Sequence, residues 1–342
     1  MKIGLLTGGG DCAGLNAVIR AAVKRAEEYG WETVGIRYGW KGLLEPDSID
    51  LSFKNISNIH KWGGTILKTT RTNPFKYPEG PEKVMDNVKK LGLGGLIVIG
   101  GDDTLGVAAR FYKMGLKVVG VPKTMDNDLS VTDYTFGFDS AVNEAMYALD
   151  NLLQTGESHD RVMIAEVMGR NAGWVAAYAG MAAGANLTLV PEEPFDIEDI
   201  ASFIKKRRLK GDKAALIVIS EGAILKNMPN KFAGDGKVDD FGHVKLGGVG
   251  QFLAEELEKR IGGEIRATSL GHTIRGGQPT AFDRVLSSRF GLAAVELIKE
   301  EKFGMMVALK GTQIVSVSID ESASKTKTLD PAILSALKEL FY

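Results

Sequence analysis

One cysteine, Cys12, and four histidines are all the soft metal-binding chemistry in these 342 residues. A single thiol forms no intrachain disulfide and no multi-cysteine zinc site, which suits a reducing compartment, and the histidines show no paired spacing for zinc. A charge excess is also missing: 42 Lys and Arg face 43 Asp and Glu, interspersed, for a formal net charge of -1. That balance argues against a nucleic-acid partner or a membrane surface and in favour of a small molecule. Long apolar runs are absent. The longest uncharged stretch, residues 174–191, is cut by Gly180, Gly184 and Asn186 and reads as a packed helix followed by a strand. Residues 3–7 are too short for a signal segment and run into glycines, so no export and a cytoplasmic setting are expected. No repeat or low-complexity segment is present.

The length leaves room for two lobes, since single cores rarely grow beyond roughly 250 to 300 residues. Short apolar runs at 3–7, 34–38, 95–99, 118–121, 162–167, 187–190, 215–220 and 305–309 read as strands, several of them continuous as in a parallel sheet covered on both faces. Amphipathic segments separate most of them. Leu15, Val18, Ile19, Ala22, Val23 and Ala26 fall on one helical face, with Gly30 placed as a C-terminal cap and Pro81 suited to start a later helix. The class is α/β. The polar, glycine-bearing stretch 227–246 reads as a long surface loop.

Three strand exits carry polar loops. Gly8-Gly9-Gly10-Asp11-Cys12-Ala13-Gly14 lies between a strand and a helix, where glycine admits a ligand to the backbone and the helix start offers N–H groups to an anion. It reads as a phosphate cradle, though it is neither a Walker A loop nor GxGxxG, with a mere tight turn as the alternative. Gly100-Gly101-Asp102-Asp103-Thr104 adds a carboxylate suited to magnesium, or is a solvated acidic turn; similar loops occur in NAD kinases and diacylglycerol kinases. Pro122-Lys123-Thr124-Met125-Asp126-Asn127-Asp128 supplies Asp126, which could take a proton from an attacking hydroxyl, or else Asp126 and Asp128 only cap a turn. Two further segments, 161–173 and 266–279, set Arg161, Arg170, Arg266, His272 and Arg275 beside glycine-rich turns, and guanidinium groups pair bidentately with phosphate.

Together these motifs make the chain resemble the 6-phosphofructokinase family, in particular its diphosphate-dependent branch. The resemblance runs through nearly the whole length, including residues 65–71 and Glu221. It implies two similar three-layer α/β lobes with mainly parallel sheets and the active site in the cleft between them. The implied donor lobe is 1–137 plus 274–324, and the sugar lobe 138–273 plus 325–342. It implies transfer of a phosphoryl group from diphosphate to the 1-hydroxyl of fructose 6-phosphate, with Mg2+, in a homodimer or homotetramer with shared active sites. On this resemblance Asp126 is the general base, Asp102 the magnesium carboxylate and Thr124 the hydroxyl near the moving group, with Gly10, Arg71 and Arg170 around it. Arg161, Arg266, His272 and Arg275 would hold the sugar phosphate, Arg161 and Arg266 from a neighbouring subunit. Met168, Gly169 and Glu221 would touch the sugar.

Donor choice turns on Asp103 and Lys123, where ATP-using members typically carry glycine. Asp103 puts charge and bulk where the α-phosphate of ATP should lie, while Lys123 neutralises the phosphate that leaves from a shorter donor. ATP-dependent phosphofructokinase is the alternative, and a noncatalytic sugar-phosphate sensor a remote one. At the positions that match the effector site of allosteric members stand Asn186 and Lys210-Gly211-Asp212-Lys213, less basic than an anionic effector requires.

Overall fold

The computed structural model describes residues 1–228, 233–238, 240–242, 244–323 and 325–341. Its strands are, in chain order, β1 (Lys2–Thr7), β2 (Glu32–Ile36), β3 (Ser48–Leu51), β4 (Gly95–Gly100), β5 (Val118–Pro122), β6 (Val162–Val167), β7 (Leu187–Leu189), β8 (Ala215–Ser220), β9 (Ala233–Val238), β10 (Val244–Leu246), β11 (Ile265–Ser269), β12 (Met305–Lys310) and β13 (Gln313–Ser318). Seven form one sheet in the order β13-β12-β5-β4-β1-β2-β3, and four form another in the order β11-β6-β8-β7. The small sheet is wholly parallel; the large one is parallel except at its two edges, where β3 and β13 run antiparallel.

Strands β4, β5, β6 and β8 are buried along their whole length, because helices cover both faces and a continuous apolar run satisfies both. Alternate residues divide between two layers: Leu96 and Val98 of β4 join an outer cluster, Ile97 and Ile99 an inner one. The inner cluster also takes Ala165 and Val167 of β6 and Val218 of β8, so the two sheets share a core with helices between them. Two α/β lobes of the same layered plan but unequal size result.

The helix Leu15–Glu28 ends at Tyr29 and Gly30, whose φ of 69° is the left-handed conformation glycine accepts without strain. Helix Gly80–Lys90 starts around Pro81, and residues 174–191 form helix Trp174–Ala182 and then β7. Two expectations need correction. Strand β2 lies two residues earlier than 34–38, since Tyr38 turns the chain at φ 60°. The stretch 227–246 is not simply a loop. Strands β9 and β10 pair there as an antiparallel ribbon, Val244 opposite Val238 and Leu246 opposite Ala233, so these backbone groups bond to each other despite a loop-like composition; 229–232, 239 and 243 lie outside the described residues.

The chain order creates two crevices. From β1 the large sheet grows outward to β2 and β3, then resumes on the other side at β4; the small sheet reverses between β6 and β11. At such reversals the loops leaving the carboxyl ends of neighbouring strands diverge and open a ligand site. Gly8 and Gly101 follow β1 and β4, while Met168 and Leu270 follow β6 and β11.

Candidate active site

The first crevice is narrow. Gly9, Gly10, Arg71, Gly101, Asp102, Asp103, Thr104, Lys123, Thr124, Asp126, Arg170 and Arg275 line a cavity of about 40 Å3. Its floor is close-packed by necessity: a Cβ at Gly100 would come within 2.3 Å of Thr104 and one at Gly8 within 2.7 Å. The glycine loop is tied to the segment after β3 by the Gly9 amide, which donates to the Thr70 carbonyl at 3.1 Å, and by the Thr69 hydroxyl, which donates to the Gly9 carbonyl at 2.6 Å. Helix Asp102–Lys113 begins at this crevice without a side-chain cap, leaving N–H groups and the positive end of its dipole toward it.

Lys123 is buried and donates from Nζ to the Gly10 carbonyl; burial pushes its ammonium below the ordinary lysine range. Arg275 donates from Nη1 to the Asp11 carbonyl at 3.1 Å, which sets this residue, grouped with the sugar phosphate on the resemblance, against the glycine loop. Asp126 is only 6 % exposed, and its Oδ1 has no hydrogen-bond partner. Its amide donates to Thr124 Oγ1 at 3.1 Å, so the two side chains arise from one tight turn. Asp128 is pushed up to about 7, first by burial and then by the charges of Asp126 and Asp102. Three carboxylates thus feel one another. Among the described residues no three metal-ligating side chains gather as a cage. An ion that takes one or two carboxylates and completes its shell with water and phosphate oxygens fits that set.

The second crevice is open. Glu166, Met168, Glu221, Gln251, Thr268 and His272 are among the residues lining a cavity of about 540 Å3. Glu221 Oε1 accepts from the amides of Gly169 at 3.4 Å and Arg170 at 3.2 Å, and burial raises its pKa. Arg170 has φ 52°, and this left-handed turn sends Met168 to the open cavity and Arg170 to the narrow one. Gly222 permits it, since a Cβ there would meet the Arg170 carbonyl at 1.8 Å. Glu166 receives the Gly248 and Gly250 amides and so fixes the start of helix Val249–Ile261 over this cavity, a role no motif announced.

Arg161 and Arg266 line neither cavity. They stand at the amino ends of β6 and β11, where both pair with Glu264, Arg266 at 3.6 Å. Arg161 precedes β6 and Arg266 is the second residue of β11, so at about 3.3 Å per residue they stand roughly 20 Å and roughly 10 Å, respectively, from the carboxyl ends of their strands. At the effector-like positions Asn186 accepts the Leu216 amide, Lys213 pairs with Asp160 at 3.0 Å, and Asp212 with Arg207. Another cavity, of about 450 Å3 beside β7, includes Phe195 and Leu337 and none of the expected site residues.

Sequence reasoning missed Lys327. Its Nζ donates to Asn127 Oδ1 at 3.0 Å and to the carbonyls of Thr132 at 3.0 Å and Asp133 at 2.8 Å. Burial lowers its pKa to about 8. Among the described residues no helix is long and apolar enough to cross a membrane.

A family model described as phosphofructokinase matches residues 2–298. A pyrophosphate–fructose 6-phosphate 1-phosphotransferase of Streptomyces coelicolor is 50 % identical, aligned over 100 % of both chains. An ATP-dependent 6-phosphofructokinase of the same organism is 49 % identical over 97 % of each. The solved pyrophosphate-dependent phosphofructokinase from Marinobacter aquaeolei superposes with a TM-score of 0.81 at 25 % identity, covering 100 % of this chain and 92 % of that one.

Proposed function

The chain belongs to the phosphofructokinase family, and from that premise we propose how its two cavities divide one reaction. The enzyme moves a phosphoryl group from diphosphate to the 1-hydroxyl of fructose 6-phosphate, giving fructose 1,6-bisphosphate and phosphate. Diphosphate enters the narrow cavity against the Gly8–Gly10 loop and the start of helix Asp102–Lys113, and the sugar phosphate enters the open one. Asp126 takes the proton of the 1-hydroxyl as its oxygen bonds to phosphorus. The bridging P–O bond breaks, and the departing phosphate keeps that electron pair beside Lys123. Arg71, Arg170 and the Gly10 backbone neutralise charge on the moving group, with Thr124 beside it, since phosphoryl transfer asks mainly for positioning and electrostatic stabilisation. Mg2+ would be held by Asp102 and phosphate oxygens, and when bound it supplies charge neutralisation of the donor. Met168, Gly169, Glu221 and His272 hold the sugar.

The observation that carries diphosphate over ATP is the pairing of Asp103 with buried Lys123 in the narrow cavity: a carboxylate repels the α-phosphate of a nucleotide, while the ammonium serves the phosphate that leaves from a shorter donor. The ATP-dependent relative at 49 % identity is the reason to test the alternative directly. Purified protein with fructose 6-phosphate and magnesium should turn over with diphosphate and at most weakly with ATP. Asp103→Gly should raise ATP kcat/KM by about tenfold or more, by removing a like-charge contact. Equal use of ATP by the wild type would overturn the donor, and an unchanged Asp103→Gly would overturn its explanation.

We further propose the lobe boundaries 1–137 plus 274–324 and 138–273 plus 325–342. We also propose a homodimer or homotetramer in which Arg161 and Arg266 complete the sugar-phosphate site of a neighbour, because within one chain they lie at the wrong end of the sheet. A cytoplasmic setting accords with the single buried cysteine.

A further inference from the structure

Asn127 lies between Asp126 and Asp128, is 1 % exposed and has φ 52°. A buried asparagine in the left-handed region needs its side chain engaged to stay there. Its Oδ1 accepts from the Thr135 amide at 3.1 Å and from Lys327 Nζ at 3.0 Å, and the Thr135 hydroxyl in turn donates to the Thr124 carbonyl at 2.6 Å. The ammonium spends all three protons on this one loop, the other two going to the carbonyls of Thr132 and Asp133. Backbone bonds reinforce the grip: the Lys327 amide donates to the Asp128 carbonyl at 2.7 Å, and Thr326 bridges Leu129. On its other side the Lys327 carbonyl accepts from Trp174 Nε1 at 2.8 Å, and Nζ stands 5.1 Å from that indole ring. Lys327 lines neither cavity.

We infer that Lys327 is a positioning residue for phosphoryl transfer: acting through Asn127, its ammonium holds the turn from Thr124 to Asp128 in the shape that aims Asp126 at the acceptor hydroxyl. Because it touches no substrate cavity, its loss changes the fraction of bound complexes that are aligned to react rather than the binding of either substrate. The inference rests on Asp126 being the base.

The test uses the intact enzyme and compares Lys327→Met, Asn127→Gly, their double variant and Asp126→Asn in one diphosphate assay. Lys327→Met should lower kcat by about 10- to 100-fold, the scale of a misplaced catalytic group, with both KM values within about threefold of wild type. Asn127→Gly keeps the backbone conformation accessible and should fall similarly. The double variant should be no worse than the lower single, since the two act in series. If Lys327→Met is insoluble, Lys327→Gln, which keeps two N–H donors, takes its place with an intermediate kcat expected. A lysine variant with kcat within twofold of wild type, a loss confined to KM, or multiplicative losses in the double variant would overturn the inference. Turnover retained by Asp126→Asn would instead overturn the base assignment.

Discussion

At the reversal of the seven-stranded sheet, glycine loops, a buried lysine and three carboxylates close on about 40 Å3, whereas the reversal of the four-stranded sheet leaves a cavity of about 540 Å3. Both sites follow from the same rule of parallel-sheet topology. They differ in what one chain can supply. Every residue expected to handle the moving phosphoryl lines the narrow cavity, but of the four expected to hold the sugar phosphate only His272 lines the open one. Arg275 lines the narrow cavity instead, and Arg161 and Arg266 are held by Glu264 toward the amino ends of β6 and β11. A highly charged leaving group needs rigid local charge from neighbouring loops; an acceptor that must bind and leave is served by an open site that other groups can complete.

The largest effect belongs to the narrow site. Asp126→Asn removes the proposed base and should lower kcat by about 100- to 10,000-fold with modest change in fructose 6-phosphate binding, read by steady-state kinetics and calorimetry. Asp128 is the rival acceptor, since burial and two neighbouring carboxylates push it up to about 7. Asp128→Asn should cost less. If the order of the two variants is reversed, the proton goes to Asp128 and the geometry of the turn has been misassigned.

The next effect tests whether the open site is completed by a neighbour. Arg266→Ala should raise the KM for fructose 6-phosphate by about 10- to 100-fold, the usual scale for a lost charged hydrogen bond. Mixing it with Asp126→Asn and reassembling should restore activity in hybrids, because some sites then combine an intact Asp126 with an intact Arg266. Hybrids proved by mass spectrometry yet inactive would mean that each chain builds its own site, and the contrast drawn above would fail.

The contrast also marks what the sequence could disclose. Short, mostly apolar runs followed by polar or glycine-bearing loops revealed β1, β4, β5, β6 and β8 and the loops leaving them, because a buried parallel strand and its exit are local signals. Three of the four edge strands of these sheets were hidden: β3 is a mere four residues, and β11 and β13 interleave polar residues; only the edge strand β7 was read. The ribbon of β9 and β10 looked like a loop, since its pairing lies outside both large sheets. Lys327 was illegible for another reason. It stands 200 residues from Asn127, in a segment with no motif, and only the fold makes them neighbours.

The smallest effect probes the seam between the two sites. Asp283, on helix Ala281–Lys299, accepts at Oδ2 from the amide and hydroxyl of Ser140 at 2.8 and 2.6 Å, so it caps helix Phe138–Ser158. The Thr280 amide returns a bond to Ser140 Oγ, and the Thr280 hydroxyl donates to Asp139. Asp283 Oδ1 is buried without a partner, and burial raises the carboxyl from an ordinary 3.8 to about 6. The native state therefore holds this proton over a range where the unfolded state has released it. Stability from this group is highest below pH about 4, declines as pH rises toward 6 and is level above that. Asp283→Asn keeps an oxygen acceptor for Ser140 but does not titrate. Its stability relative to wild type should thus improve by about 1 to 3 kcal/mol between pH 4 and 7, whatever its absolute cost, as measured by denaturant unfolding at fixed protein concentration. A difference independent of pH would show that the seam does not titrate, and would leave the two sites joined by packing alone.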